Sequence, residues 1–436
     1  MEFENYNQSK DCISVKYFYS ACILTSTPDI SILHDPWFTD GIYDGSWFQY
    51  PVIESPVEKI GDVDYLFVSH VHPDHYDPVF IKKYFSKHGE KPILIAPHSP
   101  NYLARKIKSD GLRAVIVTEP IVIGGTEIQI VPHKTGSVSD IDSAIVIKHL
   151  SKTGRNHCVV NANDINFDKA MVADLAKIAG EVDILLCGHS GAGPYPQTYF
   201  DLDDPMLKIE ANRKKCDFHE RYLNLSNQIN AKINVPFAGK YLLGGRFSNL
   251  NEYRGVSDPI EIQAIDDHAI ILDDGGGEID TLSLTPNRSR SQKYSDADMI
   301  RRIEEIKVAK MNYENFVNPD KVKLLPFEKL IHLSAQSAIK KSECIDDYFF
   351  CIGLPNRKVA IINANRTSSD NVQIIDENLN LPSPRSEISI DPCYLFGLLT
   401  NVFHWNNAAI GSHYSVRRFP NTFNRSAQAF LHFLAI

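Results

Sequence analysis

No stretch of this 436-residue chain approaches the ~18 consecutive apolar residues that a membrane-spanning helix requires, so no membrane partner is expected. Long runs of one charge are missing too. Lys and Arg number 45 against 54 Asp and Glu, and the net charge of −9 is spread without a block. With no broad basic surface, nucleic acid is not an expected partner. The eight cysteines, at 12, 22, 158, 187, 216, 344, 351 and 393, include no Cys-x-x-Cys and follow no regular spacing. That pattern excludes a disulfide scaffold and fits a reducing compartment. The amino terminus, Met1-Glu2-Phe3-Glu4-Asn5-Tyr6, lacks the basic region and apolar core of a leader, and the expected location is the cytoplasm. Internal repeats are absent. Gly275-Gly276-Gly277 has neither the spacing nor the lysine of a phosphate-binding loop and reads as a hairpin turn.

What is present is a chain 43% hydrophobic and long enough for two or three full cores. Residues 13–285 alternate short strands with helices and form the first expected domain. Ser283 to Ser289 reads as a linker. Residues 295–436 form a second, smaller α/β domain, opened by Ser295-Asp296-Ala297-Asp298 as an N-cap and acidic first turn. A substrate-recognition or dimerisation role is expected for it. The apolar end, Ala429 to Ile436, is too short to span a bilayer and is expected in a core or a homo-oligomer interface.

The densest chemistry lies in Ser69-His70-Val71-His72-Pro73-Asp74-His75, where His-x-His-x-Asp-His places four strong metal ligands in one turn. Tyr65-Leu66-Phe67-Val68 before it reads as a buried strand. Asp77-Pro78 after it reads as an N-cap with proline at the first helical position, and the helix stops at Gly89. Ligands that leave a strand and enter a helix are fixed at both ends, which a histidine-rich surface loop is not. His70 and His72 are expected to face one ion, Asp74 and His75 a second. Imidazole and carboxylate donors suit zinc first, with iron or manganese as alternatives.

This heptapeptide resembles the signature of the metallo-β-lactamase superfamily, whose fold is an αββα sandwich with the metals at one edge between two sheets. The resemblance implies a further histidine, a bridging aspartate and a last histidine, each at a strand end. His133, closing Ile128-Gln129-Ile130-Val131-Pro132, takes the first place, and Asp164, after Cys158 to Asn163, takes the second. The stretch where many members carry a Pro-x-His reads Asn234-Val235-Pro236-Phe237-Ala238-Gly239-Lys240, without histidine, so His189 is the candidate last ligand. Its ordinary alternative is a hydrogen bond within its own turn. The expected metal set is therefore His70, His72, Asp74, His75, His133, Asp164 and His189, with Asp74 and His75 also catalytic. Asp35, in His34-Asp35-Pro36, is a candidate to orient a ligand imidazole.

Ser190-Gly191-Ala192-Gly193-Pro194-Tyr195-Pro196, Val235 to Tyr241 and His404-Trp405-Asn406-Asn407-Ala408-Ala409-Ile410-Gly411-Ser412 are similar to the CMP-N-acetylneuraminate hydroxylase-like branch. That branch also carries a Rieske iron–sulfur domain, which is not expected here. The resulting expectation is a hydrolase with two divalent ions, acting on a phosphoester or carbonyl centre through hydroxide formed at the metals. The alternative is an oxygen-dependent diiron hydroxylase with electrons from a separate donor protein. The expected substrate is a small anionic molecule, with nucleotide or sugar parts as candidates. A helix from about residue 200 to 228, bearing Lys208, Arg213, Lys214, Lys215, His219 and Arg221, is expected to cover the metal edge and read that anion. His404 to Asn407 and His413 to Arg418 are candidates to hold a sugar or nucleotide portion.

Overall fold

The computed structural model describes residues 11–137, 140–314, 316–368, 371–377 and 379–436. The stretch Met1 to Tyr6 lies outside them. Strands β1 (Ser14–Tyr19), β2 (Cys22–Ser26), β3 (Ser31–His34), β4 (Trp47–Phe48), β5 (Tyr65–Phe67), β6 (Ile93–Ile95) and β7 (Ala114–Ile116) come first. Then follow β8 (Ile121–Ile123), β9 (Thr126–Pro132), β10 (Ser143–Leu150), β11 (Asn156–Asn161), β12 (Ile184–Gly188), β13 (Ile233–Phe237), β14 (Leu242–Leu243) and β15 (Gly277–Asp280). One seven-stranded sheet runs β15-β1-β2-β3-β5-β6-β7, and a six-stranded sheet runs β13-β12-β11-β10-β9-β8.

Period-two alternation in the central strands explains why these sheets stack. In β10, Ile145 and Ile147 point to one buried cluster and Val146 to another; β12 splits Ile184 and Leu186 from Leu185 and Cys187 in the same way. The first cluster joins residues of both sheets, among them Ile23, Ile32 and Phe67 with Ile128, Val159 and Val235, and is the core between them. On the outer face of the first sheet, Leu66 and Val68 pack with Phe80, Tyr84, Leu103 and Ile107 of the helices Pro78–His88 and Tyr102–Ser109. On the outer face of the second, Val160 and Leu185 pack with Val172, Leu175 and Tyr222 of the helices Lys169–Ala179 and Pro205–Ile229. Helix, sheet, sheet, helix is the αββα sandwich.

Parallel pairing of β3 with β5, of β11 with β12 and of β12 with β13 sends several strand ends to one edge. His34 and Asp35 leave β3 there, Ser69 and His70 follow β5, and Asp164 follows β11. The triple glycine turns the chain into β15, which pairs antiparallel with β1. A Cβ on Gly277 would sit 2.5 Å from the Asp273 backbone nitrogen, so only glycine closes this turn.

Beyond residue 345 lie β16 (Phe349–Leu354), β17 (Lys358–Asn363), β18 (Val372–Asp376), β19 (Arg385–Ile390) and β20 (Tyr414–Phe419). They form a separate sheet in the order β18-β17-β16-β19-β20. Its core runs without a break into aromatic residues beneath the sandwich edge, joining Ile331, Phe350, Tyr394 and Trp405 to Tyr19, Trp37, Tyr43 and Trp47. The Trp47 and Tyr241 rings stack with centroids 3.5 Å apart, and Trp47 Nε1 donates to the Ile410 carbonyl. Phe430, Leu431 and Leu434 of the apolar end pack into this core. Among the described residues no helix is long and apolar enough to cross a membrane.

Candidate metal centre

The heptapeptide is fixed at both ends, as its flanks require. The Asp77 carboxylate accepts from Phe80 N at 2.9 Å, capping Pro78–His88, and its second oxygen accepts from Phe38 N and Thr39 N. Within the turn, His75 N and Tyr76 N both donate to the His72 carbonyl, at 3.0 and 2.8 Å. His70, Asp74 and His75 are buried, and His72 is half-buried.

Hydrogen bonds decide which ring nitrogen of each histidine is free. Asp35, fully buried at φ 40, accepts from Ser69 N at 2.7 Å and from Ser69 Oγ at 2.8 Å. Its Oδ2 also accepts from His75 Nδ1–H at 3.1 Å, which holds that ring in place. Ser69 Oγ lies 2.9 Å from His70 Nδ1, so the inner nitrogens of both rings are occupied. His70 Nε2 is buried with no hydrogen-bond partner, and His75 Nε2 stands 3.4 Å from Asp164 Oδ2 and 3.6 Å from Asp74 Oδ2. Ligand atoms of His70, His75 and Asp164 lie within 4.8 Å of one another.

Such a group calls for a cation. A lone pair on His75 Nε2 facing two carboxylates is repulsive unless a proton or a metal ion lies between them. Burial by itself would depress the His75 pKa, but Asp164, Asp74 and Asp35 outweigh it and raise it well above the ordinary imidazole value. Asp164 answers in kind: burial would raise it, and the neighbouring His75 instead holds it well below the usual carboxylate range. Burial lowers His70 and His72 to about 3, so both are neutral at physiological pH. An orphaned imidazole nitrogen, a second imidazole backed by a carboxylate, and a carboxylate open to the cavity fit a divalent metal.

Around this group stand residues that sequence reading passed over, Tyr43 and Asp142, and one that it placed elsewhere, Asn406. Tyr43 Oη donates to Asp74 Oδ1 at 2.5 Å. Asp142 Oδ1 lies 3.6 Å from His70 Nδ1, and burial beside Asp164 raises its carboxyl to about 6. Asn406 Nδ2 lies 2.6 Å from His72 Nε2. Only Asp142 had a local signal, as an acid directly before β10. The stretch around Asn406 read as a sugar or nucleotide contact, and the structure assigns it differently. Trp405 is packed with its Nε1 on the Leu434 carbonyl, His404 caps the helix Trp405–Ile410, and Asn406 meets the heptapeptide. His413 is likewise buried, against the Tyr43 carbonyl and the Tyr313 hydroxyl.

Four expected ligands stand outside the group of three: His72 and Asp74, which share its turn, and His133 and His189, which lie elsewhere. His133 ends β9 with its Nδ1 3.6 Å from Asp140 Oδ1. His189 is buried between backbone carbonyls, with Nδ1 3.1 Å from that of Phe237 and Nε2 3.3 Å from that of Ser257, so its single N–H donates to one of them. Two Cys–His pairs of Rieske spacing do occur in the sequence, Cys187-Gly188-His189 and Cys216-Asp217-Phe218-His219, although no Cys-x-x-Cys does. Cys187 is buried on β12, where burial pushes its thiol up, and Cys216 is exposed on the long helix. Their ligand atoms do not converge: among the described residues the metal-capable group is His70, His75 and Asp164.

Above the group opens a cavity of about 380 Å³, walled on one side by the long helix Pro205–Ile229 through Phe218, Arg221, Tyr222 and Gln228. The helix covers this edge, as expected, but most of its cations serve elsewhere. Arg213 pairs with Glu210 and Asp217, Lys215 with Glu261, and Lys214 Nζ donates to the Arg254 carbonyl. Burial, reinforced by Arg254, lowers Lys214 from 10.5 to about 7. A depressed lysine pKa costs stability as pH falls from 10.5 through 7, with the full cost below 7. Lys214→Met is therefore expected to raise the urea midpoint relative to the parent at pH 6 and to gain less at pH 9.

No family model matches the chain. A curated protein of Mycolicibacterium smegmatis, bearing a Rieske 2Fe-2S iron–sulfur protein name, is 30% identical over 250 residues. The match covers 53% of this chain and 44% of that protein, so it spans less than half of the relative's length. Among solved structures, the isothiocyanate hydrolase from Delia radicum gut bacteria aligns with TM-score 0.43 and 16% identity, over 61% of this chain and 98% of that one. CmlA, a diiron β-hydroxylase from Streptomyces venezuelae, aligns with TM-score 0.39 and 16% identity, over 60% and 53%.

Proposed function

We propose that the chain is a metal-dependent hydrolase with two divalent ions, zinc first, acting on a phosphoester or carbonyl centre of a small anionic molecule. The observation that carries this reading is the convergence of His70, His75 and Asp164 within 4.8 Å beneath an open cavity, with His70 Nε2 buried and unpartnered. These three residues would hold one ion; Asp74 and His72, beside them in the same turn, and His133, at the end of β9, would serve the second. When bound, the ions supply Lewis acidity toward a phosphoryl or carbonyl oxygen and a water of lowered pKa. The protein's own part is positional. Asp35 and Ser69 lock the imidazoles, Tyr43 fixes Asp74, and Asp142, beside His70 and lining the cavity, is placed to take up a proton and return it to a leaving group. Residues 295–436 then close the site from one side, with the Asn406 amide N–H donating to His72 Nε2 and giving up that nitrogen when an ion binds.

Because the Asn406 amide N–H occupies the His72 Nε2 lone pair, Asn406→Ala is expected to strengthen binding of the second metal equivalent by about fivefold with little change in folding, read by metal titration of the apoprotein. A second reading, a diiron hydroxylase fed by a separate electron donor, is favoured by the iron–sulfur name of the M. smegmatis relative and uses the same donor set. Elemental analysis of the purified protein, with parallel assays of generic phosphodiester turnover and of oxygen uptake, separates the two. Zinc or manganese with hydrolysis supports the first; two irons with reductant-dependent oxygen uptake support the second. A protein that keeps no metal after dialysis sinks both.

A further inference from the structure

The cavity is chemically polarised. Asp74, Asp142 and Asp164, grouped beside His70 and His75, line it, and the exposed Arg221 is the cation that the long helix adds to the lining. Among the described residues Arg221 makes no ion pair; its guanidinium lies over the Phe218 ring, 5.0 Å from the centroid. A cationic group stacked on an aromatic face and left without a carboxylate keeps its donor fork for something else. Phe218 is held against the Ser190 to Gly193 loop so closely that a Cβ on Gly191 would sit 1.8 Å from Phe218 Cζ. The wall is thus built by a glycine and an aromatic ring that fit one another.

Asn163 supplies the second, independent observation. It lines the same cavity directly beside Asp164, is 3% exposed, and has a left-handed backbone at φ 51. Neither its Nδ2 nor its Oδ1 has a hydrogen-bond partner. A buried amide with both donor and acceptor unsatisfied is costly, and at a cavity wall it marks where a ligand's polar group belongs.

We propose that this cavity binds a small molecule bearing an oxyanion, held by Arg221, and an adjoining amide or carbonyl, held by Asn163, with the reacting centre toward Asp164. The inference rests on the hydrolase reading for the reaction, but the binding it describes does not require the metal. A carboxylate and a phosphate present the same chemistry to the Arg221 fork.

The test uses the full chain stripped of metal, so that anions cannot bind to the ions, titrated calorimetrically with N-acetylglycine, acetate and inorganic phosphate. Saturable binding is expected, and Arg221→Met weakens every probe by about tenfold or more. Asn163→Gly, which tolerates the left-handed backbone, weakens N-acetylglycine by about threefold or more and leaves acetate unchanged. Arg213→Met, on the same helix but paired with Glu210 and Asp217, binds like the parent. Tighter binding of phosphate than of carboxylates, or the reverse, names the source of the anion. Wild-type protein that shows no saturation at about 100 mM, or Arg221→Met that binds as well as wild type, overturns the proposal. Metal content, measured separately on Arg221→Met, stays at the parental value. Failure of the metal reading and failure of the anion site are thereby told apart.

Discussion

His75→Ala is expected to strip the metal from the purified protein and to lower turnover by at least about a hundredfold, while the far-ultraviolet spectrum stays that of a folded chain. His75 is the residue on which the electrostatics of the site turn. Its Nε2 faces Asp164 at 3.4 Å and Asp74 at 3.6 Å, and its Nδ1 is held by Asp35 at 3.1 Å. Removing the imidazole leaves three carboxylates around a space with no group able to carry positive charge, so an ion loses a ligand and the acids lose their partner. The fold itself does not depend on this ring, because the heptapeptide is also fixed by the Asp77 cap and by the His72 carbonyl. Elemental analysis after dialysis reads the outcome. Unchanged metal stoichiometry in the variant would remove His75 from the site and with it the ligand assignment.

Asp35→Ala is expected to act without touching a ligand atom. The carboxylate accepts from Ser69 N, Ser69 Oγ and His75 Nδ1 in a fully buried position. Alanine leaves these donors without partners, at roughly 1–3 kcal/mol for each that finds no substitute. It also frees the His75 ring to rotate, for which metal affinity falls by about 10–100-fold. The two effects separate experimentally: urea unfolding in chelator reads the stability loss, and metal titration reads the affinity. Asp35→Asn, with the same shape, keeps one acceptor oxygen and is expected to fall between the parent and alanine in both. An Asp35→Ala protein with parental affinity and a parental urea midpoint would show that the hydrogen bonds at 2.7 to 3.1 Å do not support the site.

The errors of sequence reading share one origin. His189 follows a buried strand at the right edge, so its position along the chain suggested a ligand, yet its ring meets the Phe237 and Ser257 carbonyls. Strand-end position gives a residue's height in the sheet and says nothing about which way its side chain turns. Six basic or histidine residues on one helix suggested an anion-reading face, but a helix presents every side. Packing put Lys214 inside against Arg254 and left Arg221 at the cavity. Tyr43 and Asp142, which were missed, and Asn406, which read as a sugar or nucleotide contact, come from segments about 100 and about 260 residues apart and carry no mutual pattern in the sequence.

Sequence alone determined whatever is decided within about ten residues: the alternation that makes β10 and β12 two-faced, the Asp77-Pro78 helix start, the stop at Gly89, and four ligand-type side chains in one turn. These follow from backbone geometry and hydrogen bonding between near neighbours, which the order of residues fixes directly. Only the tertiary structure decided that Asp164 meets His75, that Asp35 holds it from behind, and that Asn406 reaches His72. Such meetings depend on strand register and on which loops share an edge, and those are set by the packing of the whole core.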